Sequence, residues 1–224
     1  MSKILKIVIG AAVLAVAAFA AVYFLFFNSD SPPEFKPTPV DESAKPAPAD
    51  VSGSWTVASG SQAGFRVREK LASLPAQSDA VGRTSDVSGT IVIDGTSVTS
   101  ADFDVDLTTL KSDPAEPRRD NKIPGALQTD QFPKATFTLT SPIDIGSATT
   151  TATVGATGDL TIHGVTKPVT IPIQATLIDD QLELVGKITF PMADFGITPP
   201  SIGGFVTVEN DGALEFKILL ERQA

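Results

Sequence analysis

The chain has 224 residues, with 26 Asp and Glu against 17 Lys and Arg, no cysteine and a single histidine, for a formal net charge of −9. A structural zinc site and a thiol nucleophile are excluded, and any serine triad or metal–imidazole chemistry must pass through His163 alone. Net acidity without an extended Lys/Arg cluster also disfavours a nucleic-acid partner, since phosphate binding depends on clustered cations.

Residues 7–27 are uncharged and almost wholly apolar, and as a helix they span about 31 Å, the thickness of a bilayer core. Lys3 and Lys6 precede this stretch and Asp30 and Glu34 follow it. The charge bias predicts a single-pass transmembrane helix, with residues 1–6 as a cytoplasmic tail and residues 28–224 on the extracytoplasmic side of a cell membrane. A cleaved signal peptide is the competing reading, with Ala18-Phe19-Ala20 as the small-x-small site, but cleavage there leaves an apolar stub on the mature chain. With no cysteine to acylate, a lipoprotein anchor is excluded.

Residues 28–50 contain six prolines and seven charged residues in 23 positions. Such a composition buries too little apolar surface to offset chain entropy, so it reads as a disordered linker, extending up to about 70 Å at 3.1 Å per residue.

From residue 51 to 224 the dominant signal is alternation with period two, which places successive side chains on opposite faces of a strand. Phe103, Val105 and Leu107 alternate with Asp102, Asp104 and Asp106; Ala135, Phe137 and Leu139 alternate with Lys134, Thr136 and Thr138. The same pattern carries Val169 to Leu177 and Leu214 to Leu220, with Pro172 marking an edge position or a bulge. Further strands are expected at 54–59, 64–70, 87–94, 152–162, 181–190 and 204–209, and Asn210-Asp211-Gly212 reads as a tight turn joining the last two. Only residues 114–130, with prolines at 114, 117 and 124, break the rhythm, as a short or broken helical connection. The fold class is therefore all-β, with about eight to ten antiparallel strands that must close or split into layers to protect their edges. Closure into a barrel is favoured, and eight strands leave an interior either filled by side chains or holding one slender ligand.

Trp55, Phe65-Arg66-Val67, Val87-Ser88-Gly89-Thr90, Arg119-Asp120, the run Phe132-Pro133-Lys134-Ala135-Thr136-Phe137, the hairpin from Gly158 to Val169 and Asp194-Phe195-Gly196-Ile197 fall in the order and spacing of the YceI-like proteins. The chain resembles that family over about 170 residues. The resemblance implies an extended, lipocalin-like antiparallel barrel whose tunnel binds a long amphiphilic chain, a polyisoprenoid such as a quinone tail or prenyl lipid, in a protein exported from the cytoplasm. Two departures are visible: Glu69 stands where many members carry histidine, and Met192-Ala193 stands where many carry Arg-Ser ahead of Asp-Phe-Gly.

Strand phase assigns Phe65, Phe103, Val105, Leu107, Phe137, Leu139, Ile171, Ile173, Phe216 and Ile218 to the tunnel wall. Arg118 and Arg119, with Lys122 the one local cation cluster of the domain, and His163 are candidate contacts for a polar head group; surface charge paired with Asp120, and a backbone-bonded histidine at a strand end, are the plainer readings. Asp102, Asp104 and Asp106 lie about 7 Å apart along one strand face, too far to converge on one cation, and read as a solvated face. No catalytic residue, metal site or cofactor is expected. The function so read is membrane-tethered binding of an isoprenoid lipid; the alternatives are a ligand-free structural or protein-interaction barrel of the envelope, with unknown protein partner, and a carboxylate hydrolase for which nothing selects an acid pair.

Overall fold

The alternating stretches become thirteen strands, all paired antiparallel, in a computed structural model that describes residues 16, 31–40, 50–71, 77–146, 150–202 and 206–223. In chain order they are β1 (Gly53–Val57), β2 (Gln62–Leu71), β3 (Gln77–Thr84), β4 (Val87–Asp94), β5 (Ser97–Asp106), β6 (Lys111–Asp113), β7 (Lys134–Leu139), β8 (Ile143–Asp144), β9 (Thr151–Ile162), β10 (Val165–Ile178), β11 (Gln181–Pro191), β12 (Ser201–Ile202) and β13 (Val206–Arg222). The irregular connection between β6 and β7 carries two short helices, α1 (Pro117–Asp120) and α2 (Ile123–Leu127), and a 3-10 turn, Met192–Phe195, follows β11.

Eight of these strands close on themselves in the order β1-β4-β5-β7-β9-β10-β11-β13, and β13 returns to β1 through Trp55↔Arg222 and Val57↔Leu220. Leu220, at that seam, is fully buried. The chain bends sharply after β1. There Gly60 adopts φ +89° and the buried Ser61 hydroxyl donates to the Ala58 carbonyl at 2.8 Å, so that β2 leaves β4 but stays paired with β13. β2, β3 and β6 form an extension beyond the ring. β3 was not anticipated, because Gln77 to Thr84 contains one short apolar step, Ala80-Val81, and no alternation; pairing on both edges makes it a strand.

The expected turn at Asn210-Asp211-Gly212 is instead part of β13, a single strand of 17 residues. Its ladder with β11 continues unbroken from Asp211 to Glu221, while its ladder with β2 slips between Val208 and Gly212. A bulge absorbs the turn-forming residues on one edge only, and the strand bends without reversing. Pro172 lies where β10 pairs with β9 through Gly155 while the ladder to β11 starts one residue later, at Ile173, so its missing N–H interrupts no β11 bond.

The expected span at 7–27 lies outside the described residues apart from Val16; no helix among the described residues is long and apolar enough to cross a membrane. Within the stretch read as a disordered linker, residues 31–40 are ordered against the outer face of the barrel, bonded to β2, β3, β11 and β13. Most of the contacts that hold residues 31–40 there are polar, which apolar content alone does not register.

A recurring pair shapes the interior. The rings of Phe103, Phe137 and Phe216 lie over Gly89, Gly158 and Gly186 of the neighbouring strands, and Phe65 lies over Gly82 in the same way; a Cβ at any of these glycines would collide with the ring. Each phenyl is thereby accommodated along the wall. Gly186→Ala should displace Phe216 towards the axis and lower stability by about 1–3 kcal/mol through overpacking; thermal unfolding against the parent chain reads this directly.

Candidate functional site

Because β10, β11 and β13 expose Ile171, Ile173, Leu184, Phe216 and Ile218 on one phase and charged or polar residues on the other, the ring encloses an apolar interior. It contains a cavity of about 150 Å³. Of its lining residues only Thr136 and Thr150 are polar, and none is ionisable. The indole N–H of Trp55, which also faces the cavity, is satisfied by the Val51 carbonyl at 3.0 Å. A cavity of this size lined by aliphatic and phenyl carbon stays dry and accepts apolar guests.

The two ends of the barrel differ. Leu107, Leu110, Ile123, Ile162, Met192, Phe195 and Ile197 are all buried, none lines the cavity, and they gather where β9 turns into β10 and where the irregular connection re-enters the barrel. Phe190 packs edge-on against Phe195 at 4.9 Å and Phe132 lies 4.5 Å from the His163 ring. That end is plugged. At the other end the lining continues to Val51, Ile143, Ile145, Thr150 and Leu182, beside the β4–β5 and β10–β11 turns.

The cavity is lined by Phe103, Val105, Phe137, Leu139, Ile171, Ile173, Phe216 and Ile218 of the ten residues assigned to the wall by strand phase. Phe65 and Leu107 lie outside the lining: Phe65 covers Gly82 in the β2–β3 extension, and Leu107 belongs to the plug. Phase alone misses where along a strand the lumen ends. It also left unnamed Trp55, Ala156 and Leu160, which line the cavity from β1 and β9.

Neither His163 nor Arg119 lines the cavity. His163 takes φ +53° in the β9–β10 turn, its Nδ1 lies 3.2 Å from the Phe195 carbonyl, and its buried Nε2 has no hydrogen-bond partner among the described residues. Arg119 donates to Glu69 at 2.8 Å; the side chain of Arg118 lies outside the described residues. Burial pushes the Glu69 carboxyl above its ordinary value, opposed by the charge and hydrogen bond of Arg119. Among Asp102, Asp104 and Asp106, Asp104 pairs with Lys134 at 3.0 Å and Asp106 accepts from Thr108. No group of three or more His, Asp or Glu converges among the described residues.

A closed eight-stranded antiparallel barrel around an apolar cavity is the class of protein that these features define. The chain belongs to the YceI-like domain family, whose model matches residues 55–220. The UPF0312 protein of Shewanella oneidensis is 36% identical over 127 residues, which make up 52% of this chain and 63% of that protein, so the chain spans less than two thirds of that relative's length. Among solved structures, a polyisoprenoid binding domain from Saccharophagus degradans, implicated in plant cell wall breakdown, superimposes with a TM-score of 0.58 at 15% identity, covering 77% of this chain and 99% of that one. BcnA of Burkholderia cenocepacia gives 0.51 at 17% identity, covering 70% and 95%. At such identities these likenesses concern the fold.

Arg119→Met should destabilise the barrel by about 3–5 kcal/mol, because it leaves the Glu69 charge buried without its partner, and adding Glu69→Leu should recover much of the loss. With its pKa raised in the folded state, an unpaired Glu69 favours folding at pH values below 4.5, where it is protonated, and opposes it as pH rises through the raised value. The Arg119→Met deficit should therefore be larger at pH 7 than at pH near 4 in denaturant titrations.

Proposed function

We propose that this chain is a non-catalytic lipid carrier that holds a long isoprenoid-type chain, a quinone or prenyl lipid, in its barrel cavity. The observation that carries the reading is an almost wholly apolar lumen, Thr136 and Thr150 excepted, closed at one end by a packed plug and continuing to the opposite rim. The fold it shares with a polyisoprenoid binding domain supports the same ligand class. Each buried CH₂ contributes about 0.8 kcal/mol, so a hydrocarbon tail binds without any strong polar contact. Hydrolysis by paired carboxylates is disfavoured by a lining that carries no ionisable group.

The tail then lies towards the plug and the polar head at the rim near Thr150 and Leu182, away from Arg119 and His163. The apolar stretch at 7–27 anchors the chain in the cell membrane and places the barrel on the extracytoplasmic side, on the strength of Lys3 and Lys6 before it and an acidic flank after it.

Organic extraction and native mass spectrometry of the purified full chain should recover an isoprenoid lipid. Val105→Trp should fold with little loss of thermal stability while lowering lipid occupancy, whereas a filled core would lose about 1–3 kcal/mol to the overpacking. Strong destabilisation with unchanged lipid content would overturn the carrier reading in favour of a ligand-free structural barrel. Phe137→Ala should cost less than the 3–5 kcal/mol typical of a phenyl removed from a filled core, since the ring already borders open space.

A further inference from the structure

Residues 31–40 run across the outer faces of β3, β2, β13 and β11, and the contacts answer the needs of a proline-rich segment one by one. Proline offers the backbone a carbonyl and no N–H, and an extended proline-rich run makes no internal hydrogen bonds, so recognition requires donors supplied from outside. Arg66 Nη2 donates to the Pro32 carbonyl at 2.8 Å and Arg83 Nη2 to the Pro33 carbonyl at 2.7 Å. The Arg83 guanidinium also stands 4.2 Å from the centre of the Phe35 ring. Ser31 Oγ donates to the Asp79 carbonyl at 2.8 Å and accepts the Asp79 N–H at 3.1 Å, and Lys187 pairs with Glu34 at 2.5 Å. At the far end Thr38 gives its N–H and its hydroxyl to the two oxygens of Glu183, at 2.7 Å each, and Lys217 donates to Thr38 Oγ1 at 3.1 Å.

The sheet side of this contact is built in depth. Glu183 is 2% exposed and Glu215 1%, on a face that alternation alone would give to water. Glu215 accepts from Arg66 Nε at 3.1 Å and from Arg83 Nη2 at 3.0 Å, fixing both guanidinium groups within reach of Pro32 and Pro33. Charges are withdrawn from water at a cost unless they are paired and hydrogen-bonded, and here the pairing is completed by the segment itself.

We propose that the outer face of β2, β3, β11 and β13 is a peptide-docking groove whose occupant is the chain's own proline-rich segment 31–40, and that docking sets the length of the tether between residues 7–27 and the barrel. The second part rests on the reading of 7–27 as a membrane anchor. With the segment docked, only residues 28–30 separate the anchor from a point fixed on the barrel, a reach of about 10 Å. With it released, residues 28–50 extend to about 70 Å. The groove thus gives the carrier two working distances from the bilayer.

Acid should release the segment. Glu34 belongs to the segment, and the hydrogen bond from Lys187 across the groove holds its carboxyl below its ordinary value; Glu183 is also held down against the effect of burial, by Lys217 of the barrel and by Thr38, of which only the Thr38 bonds depend on docking. Arg66 and Arg68 of β2, Asp79 and Arg83 of β3, and Glu215 of β13 face the same groove. Carboxylates whose docked pKa is depressed favour docking above their free value and lose that contribution as pH falls through the depressed one.

The absence of cysteine from the sequence makes the test direct. Spin labels on Lys36→Cys and Asp159→Cys, both exposed, should give a narrow distance distribution in the full chain in micelles at pH 7. Phe35→Ala with Thr38→Val, which alters the segment and leaves the barrel intact, should broaden it, as should acidification below the ordinary carboxylate range. A broad distribution in the parent chain, or a narrow one that survives the double variant, overturns the groove. Distances appearing in a mixture of singly labelled chains assign the occupant to a second copy and overturn the intramolecular assignment. In phosphatidylcholine vesicles, energy transfer from a dye at Asp159→Cys to labelled head groups should be lost in the double variant; transfer unchanged by it overturns the tether role. Failure of the chain to enter vesicles overturns the anchor, and the micelle distances judge the docking independently.

Discussion

The phenyl rings laid over glycines are the constraint on which the barrel's function depends. An eight-stranded ring has just enough width to be filled by its own side chains. Phe103, Phe137 and Phe216 would fill it if they projected to the axis. Gly89, Gly158 and Gly186 lack the Cβ that would force them there, so the rings lie along the wall and an open space remains between them. The glycines weaken their strands locally, and the rings restore the lost packing from the next strand. The lumen is thus written into pairs of residues on adjacent strands, with neither partner sufficient alone.

The same strands do two unrelated jobs because the side-chain period is two. On β13, Leu214, Phe216 and Ile218 face the lumen while Glu215 and Lys217 face outward, and on β11 Leu184 faces in while Glu183 and Lys187 face out. A one-residue slip would put carboxylates in the dry cavity and leucines on the groove. The buried ion network outside and the carbon wall inside therefore enforce one register jointly. The closure pairs Trp55↔Arg222 and Val57↔Leu220 hold that register around the ring.

Much of this was legible in the sequence where burial is one-sided. Alternation in β5, β7, β10 and β13 gives strand phase, hence Val105, Phe137, Ile171 and Phe216 on one side and their charged neighbours on the other. Three things were not legible. β3 owes its conformation to two partner strands, which a run such as Gln77-Ser78-Asp79 does not announce. Asn210-Asp211-Gly212 has the chemistry of a turn, and only the unbroken pairing with β11 makes it a bulge. The ordering of residues 31–40 depends on Arg66, Arg83 and Glu183, which lie far away in sequence, so composition could not reveal it. Within the site, phase could not say that Leu107 falls beyond the end of the lumen, because that depends on where the connecting segment crosses the barrel.

The two departures from the family pattern acquire a common physical sense at that plugged end. Glu69 lies on the lumen side of β2 and would be a buried unpaired acid, were it not met by Arg119 from the short helix α1. Met192 brings a flexible thioether chain against Gly212 beside the bulge, where it is buried. Among the described residues, ion pair and thioether together with Phe195, Ile197 and Ile123 close that end, while the cavity lining runs out to Val51, Ile143 and Leu182 at the other. The direction of the cavity is accordingly a consequence of how this chain seals one end, and the charged residues of that end serve the seal.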